Sequence, residues 1–163
     1  MLRACALALL LVGCATLDDR ADSAATADSA TTVAALALGA TETNPLGLAT
    51  IPAKIAILAH CKTLAEDGQA DCHAVVGAMW GGAAVNNLCV VAAILTGGAF
   101  TPVCILSGIG YGIHAWQGSA AEREFYARCV EYRKMTGEAF RCAYRLTTPA
   151  SRPVVASRAV ESP

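Results

Sequence analysis

Aromatic side chains are scarce in this chain, with two Trp, four Tyr and three Phe among 163 residues. Charge is scarce too, at 15% of residues, and no Asp, Glu, Lys or Arg occurs from Ala74 to Ala121. The formal net charge of −1 leaves no electrostatic footprint for nucleic acid. The segment Arg123–Arg145 is basic and carries aromatics, but Glu122, Glu124, Glu131 and Glu138 offset it, so it reads as a solvated helix face. Short catalytic signatures are missing as well: there is no nucleophile elbow, zinc-protease helix, phosphate loop or carboxylate pair. These absences remove the commonest hydrolase, metalloprotease and nucleotide-binding readings. They favour a non-catalytic structural or interaction role with no cofactor.

What the chain does have is small and apolar. Hydrophobic residues make up 55% of it, many of them Ala, and there are 14 Gly. Small side chains let helices approach closely, yet each buries little area. A core built this way is thin and gains from covalent staples.

The first residues carry an address. A short basic start, Met1-Leu2-Arg3, leads into an apolar run from Ala4 to Val12 and then Leu11-Val12-Gly13-Cys14. This stretch resembles the lipobox of bacterial lipoproteins. The resemblance implies removal of residues 1–13, a lipid on the Cys14 sulfur, and a membrane as partner through that anchor. Ala at position 15, rather than Asp, implies passage to the outer membrane in proteins with similar signals. The expected location is therefore the cell envelope, with a protein partner there. Removal of residues 1–13 would leave about 150 residues, one domain's worth.

Six cysteines then remain: Cys61, Cys72, Cys89, Cys104, Cys129 and Cys142. An even number in an exported chain reads as a disulfide set. Turn signals lie inside each consecutive interval: Asp67-Gly68, Gly97-Gly98 and Gly137. If each glycine closes a helical hairpin, sequential pairing follows. The competing arrangement ties Cys129 or Cys142 to Cys61 or Cys72.

Periodicity predicts an all-α fold, a small bundle of about four to five helices built from hairpins and stapled by up to three disulfides. Residues 14–27 read as a lipidated tether and 28–146 as the helical domain. A first helix begins near Asp28 and stops at Gly39. A second runs from Pro45 to about Leu64, bent at Pro52, and Glu66–Ala70 forms a polar turn. Residues 72–116 form an apolar hairpin of two helices, 72–95 and 101–116, with small-residue faces Gly77-x-x-x-Gly81 and Gly108-x-x-x-Gly112. The first of these is long enough to span a bilayer. An amphipathic helix covers 120–136, and 147–163 read as disordered.

One internal motif has order and spacing: Asp28-x-x-Thr31-Thr32, then Glu42-x-Asn44-Pro45. Residues 28–54 resemble an uncharacterised family of small integral membrane proteins, which pair such a helix with a second one carrying a basic residue. The resemblance assigns no activity. The residues themselves make the same point. Asp28 precedes Gly39 by about as much chain as separates Lys54 from Asn44, so in an antiparallel hairpin both lie about 16 Å from the turn and meet. The alternative is a weak surface salt bridge.

His60-Cys61 and Cys72-His73 form a near-symmetric set that invites a metal-binding or enzymatic reading. Zinc ligand pairs usually leave about two to four residues between their members, whereas these are adjacent and their side chains diverge, so the disulfide reading is preferred and no metal is expected. Topology remains in tension. Four spanning helices would keep Cys61, Cys72, Cys129 and Cys142 on the side of Cys14, but would put the basic 123–145 segment outside, against the positive-inside rule. A lipid-anchored helical domain lying on or partly in a membrane avoids this; a membrane-embedded accessory for assembly or transport is the alternative.

Overall fold

The structure is a computed structural model, and it describes residues 16–40, 50–97 and 101–144. Residues 1–13, read above as a signal peptide, Cys14, the Glu42-x-Asn44-Pro45 motif and residues 147–163 lie outside the described residues. The described chain is all-α. Five helices follow one another: α1 Leu17–Ala37, α2 Thr50–Cys61, α3 Glu66–Thr96, α4 Thr101–Gly118 and α5 Ala120–Thr136.

Helix α1 starts eleven residues earlier than the Asp28 boundary predicts, so the expected tether 14–27 is folded from Leu17 on. The cause is a capping box. Thr16 Oγ1 accepts from the Asp19 backbone N–H at 3.2 Å, while Asp19 Oδ2 accepts from the Thr16 N–H at 3.3 Å. These bonds satisfy orphan donors, and Asp18 and Asp19 favour the positive end of the helix dipole. Small polar residues read as linker by composition, yet the alanines among them are strong helix formers and pack. Leu17 and Ala21 are buried against α3.

Helix α3 is the axis of the molecule. It begins at Glu66 rather than Cys72, so the expected polar turn is its first turn, and Gly68 lies inside the helix. The real turn is the short stretch between Cys61 and Glu66, where the Gln69 amide donates to the Leu64 carbonyl at 2.8 Å. Helix α1 runs parallel to α3: Leu17 clusters with Ala70 and Ala74, Ala21 with Val76, and Asp28 meets Asn87. Helix α2 returns antiparallel to α1, with Cys61 beside Ala21 and Lys54 beside Asp28. Pro52 falls in its first described turn.

Helices α3 and α4 form an antiparallel hairpin after the left-handed Gly97. Their contact runs through Gly82 and Gly108, and through Ala78 and Gly112. A Cβ on Gly82 would lie 2.6 Å from the Gly108 carbonyl oxygen, and one on Gly108 would lie 2.6 Å from that of Gly82. The small-residue face predicted on α3 is thus split: Gly77 packs on Ala21 of α1, Gly81 lies under the Tyr111 ring of α4, and Gly82 meets the α4 backbone. Ser119, 1% exposed, marks the bend into α5. Its hydroxyl donates to the Trp116 carbonyl at 2.7 Å and accepts from Arg123 Nε at 3.2 Å.

Three disulfides join Cys61–Cys72, Cys89–Cys104 and Cys129–Cys142. The pairing is sequential. The third does not close a helical hairpin, however. Gly137, with φ 69°, ends α5, and the chain continues to residue 144 as a non-helical strap. The strap folds back because Arg133 donates to the Phe140 carbonyl at 2.9 Å, and the Cys142 N–H donates to Glu66 at 3.3 Å.

The glycine contacts give a paired expectation. Gly82→Ala drives a Cβ into backbone and should cost about 1–3 kcal/mol. Gly110→Ala meets nothing within 4 Å and should be neutral or stabilise by up to about 1 kcal/mol. Thermal melts of the two variants in one detergent check this; equal melting temperatures would contradict the packing.

Candidate functional site

Two polar constellations stand out in a molecule whose packing is otherwise small and apolar. The first is between α1, α2 and α3. Lys54 Nζ lies 2.6 Å from Asp28 Oδ2, with side-chain exposures of 7% and 9%. The pair is buried, unlike the surface salt bridge that its motif alone also allows. Two further groups complete it. Asn87 Nδ2 donates to Asp28 Oδ1 at 2.9 Å and to Thr32 Oγ1 at 3.0 Å, and it stands 3.5 Å from Thr31 Oγ1. Lys54 Nζ also donates to Ser29 Oγ at 3.4 Å. Both carboxylate oxygens therefore have a donor. Thr31 and Thr32 in turn bond back to the α1 backbone, Thr32 to the Asp28 carbonyl at 2.8 Å. A buried charge pair is tolerated only when its remaining polar atoms are satisfied in this way.

The second constellation is at the other end of the bundle. A cavity of about 360 Å³ is enclosed by the start of α1, the α2–α3 turn, α5 and the strap. It is lined by Asp18, Lys62, Glu66, His73, Glu122, Tyr126 and Arg141. Glu122 reaches it from the first turn of α5. Its carboxylate ion-pairs with Arg20 and accepts the Leu17 N–H at 3.4 Å. Burial pushes its carboxyl above the usual carboxylate range, against the pull of Arg20 and the Leu17 N–H. Arg20 is itself 29% exposed, so water screens its half of the pair.

His73 lies on the first part of α3, 4% exposed. Burial lowers its pKa, and Asp18 opposes the shift. Its Nε2 stands 3.3 Å from Asp18 Oδ1, and Lys62 Nζ stands 3.3 Å from the same oxygen. The distances are those of ion pairs, but the angles are not those of hydrogen bonds. Asp18 Oδ1 and His73 Nε2 are both buried atoms with no hydrogen-bond partner.

The sequence-predicted residues divide between these places. Asp28 and Lys54 meet. His60 and His73 do not form a site: His60 is exposed at the end of α2, and the cysteines beside both histidines are bonded to each other. Among the described residues, no group of three or more His, Cys, Asp or Glu side chains is placed to hold a metal ion. Asn87, Glu122, Arg20 and Asp18 were not candidates from sequence. Asn87 had one available signal, as half of the only Asn-Asn pair in a run free of Asp, Glu, Lys and Arg. Glu122 had none, since it looks like any first-turn acid. Compared with protein-family models, curated proteins and solved structures, the chain finds no match.

Two expectations follow. Lys54→Met alone strands a buried carboxylate and should cost about 3–5 kcal/mol, whereas adding Asp28→Leu should recover much of it. Denaturant melts of the two variants read this out, and equal losses would rule out a coupled buried pair. For Glu122 the sign is fixed by its raised pKa. The folded state holds the proton more tightly, so its contribution is fully present below the ordinary carboxylate range and is lost as pH rises through the raised value. Glu122→Gln should flatten that decline in a melting-temperature profile across mildly acidic pH.

Proposed function

We propose that this protein is a lipid-anchored envelope lipoprotein with a structural or interaction role, whose apolar end is seated in a membrane. The observation that carries the reading is how its side chains are distributed. Ion pairs gather at one end: Arg20–Glu122, Lys62 with Asp18 and Asp22, Arg123–Asp71 and Arg133–Glu66. Toward the other end, α3 and α4 expose large apolar groups, among them Leu88, Leu95, Val103, Leu106 and Ile109. No Asp, Glu, Lys or Arg interrupts that surface from Ala74 to Ala121. Water is a poor partner for such a contiguous apolar face, and lipid is a good one. Helix α3 has the length and hydropathy to cross a membrane. Its part from Ala74 to Thr96 measures about 35 Å at helical rise, close to a bilayer core.

The buried Asp28–Lys54–Asn87 cluster fits the same reading. It lies within the apolar end, and ionisable groups at membrane depth face the interior of a bundle and pair. The Leu11–Cys14 lipobox supplies the anchor, and the polar end follows it closely in sequence. All six disulfide cysteines then belong to a chain that has been exported.

The reading is tested with isolated membranes from a bacterium producing the full chain. Mass spectrometry should find the mature chain starting at Cys14 with an acyl modification; an intact residue 1–13 segment with an unmodified thiol would defeat the lipoprotein assignment. Cys14→Ser protein should stay with the membrane on alkaline extraction, because α3 and α4 hold it. Its quantitative release would instead mean that lipid alone attaches the domain.

A further inference from the structure

The polar cavity has binding capacity left over. Glu66 is occupied by Arg133 and the Cys142 N–H, and Glu122 by Arg20 and the Leu17 N–H. Lys62 donates to Asp22 at 3.3 Å, and its ammonium stands 3.3 Å from Asp18 Oδ1 as an ion pair. Two buried cavity atoms remain without a hydrogen-bond partner, Asp18 Oδ1 and the Nε2 of His73, a side chain only 5% exposed. One cation also remains. Arg141, on the strap, lines the cavity and has no ion pair among the described residues.

These leftovers specify a ligand by complementarity. A bare anion is disfavoured, because three carboxyl side chains line the cavity. A divalent metal is disfavoured too. It would have two ligating atoms at most, and among the described residues no group of three or more His, Cys, Asp or Glu is placed to hold one. What suits the set is a molecule with N–H donors at one end and an anionic group at the other. We propose that the cavity binds a small zwitterion, its primary ammonium donating to Asp18 Oδ1 and His73 Nε2 and its carboxylate or phosphate meeting Arg141. Charge-assisted hydrogen bonds of both signs then hold the ligand, and Lys62 stays on Asp22. The same chemistry occurs in a free amino acid and in the headgroup of an ethanolamine phospholipid. The proposal does not depend on the membrane seating; only the lipid source does.

Calorimetry on the full-length purified protein in detergent tests it, with glycine, phosphoethanolamine and phosphocholine as probes. Phosphocholine is the discriminating control, because its quaternary ammonium has no N–H to donate. Glycine or phosphoethanolamine should give saturable heat and phosphocholine none. Arg141→Ala lies on the exposed strap and leaves the helices untouched, and it should weaken binding at least about tenfold. His73→Gln should do the same in protein with all three disulfides formed. Glycine heat identifies the free zwitterion. If only phosphoethanolamine binds, and the protein retains ethanolamine but not choline phospholipid in nanodiscs, the headgroup is the ligand. No saturable heat from either probe at millimolar concentration overturns the proposal. So do equal binding of phosphocholine, saturable heat from zinc chloride alone, or unchanged affinity in Arg141→Ala. None of these outcomes bears on acylation or membrane extraction.

Discussion

The fold depends on how closely α3 lets its neighbours approach. With few large side chains to fill a core, the helices gain contact by bringing backbones together, and α3 presents small residues on two sides for this purpose. Gly77 admits α1 at Ala21, and Gly82 admits α4 at Gly108. Such contact is rich in dispersion but buries little area per residue, so it tolerates almost no added volume. The large apolar side chains are left for the outside, which is the reverse of the usual arrangement in water.

That inversion explains where polar groups can be placed. At the ion-paired end, most charges sit near solvent in exposed or half-exposed pairs, with Glu122 buried against Arg20. At the apolar end, the only ionised groups in the packed interior among the described residues are Asp28 and Lys54, and they bring Asn87, Ser29, Thr31 and Thr32 with them. The cluster draws one group or more from each of three helices. Each helix therefore supplies what another's charge requires, and none satisfies its polar groups alone. Register between α1, α2 and α3 is fixed at that level more sharply than apolar packing of alanines could fix it.

Much of this was legible in the sequence, for physical reasons that can be named. Sequential disulfides follow from the short intervals between consecutive cysteines, though only the Gly97 signal marks a helical hairpin where it was expected. The meeting of Asp28 and Lys54 follows from helical rise counted from the two sides of one turn. The apolar hairpin follows from its missing charges. What was not legible depends on tertiary context. The segment from Leu17 to Ala27 looks like a linker because its residues are small and polar; it is a helix because Thr16 and Asp19 cap it and α3 gives Leu17 and Ala21 somewhere to pack. Gly68 looks like a turn but lies inside α3. That Gly82 rather than Gly81 makes the backbone contact with α4 is a matter of helix rotation, which spacing alone leaves free. The cavity around His73 and Glu122 draws residues from opposite ends of the chain, and nothing in a linear motif joins them.

Each disulfide is local, closing intervals of 11, 15 and 13 residues. One ties α2 to α3, one α3 to α4, and one the strap to α5, and α1 is tied to nothing. Tension entering from the N-terminal side therefore reaches α1 first and meets no covalent link there. The capping box, the Glu122 contacts and the Asp28 cluster bear the pull in series along one helix, while α2, α3 and α4 are riveted together. Under load the molecule has a defined weak seam: α1 peels from α3 as a unit and can re-seat on a body that has kept its shape.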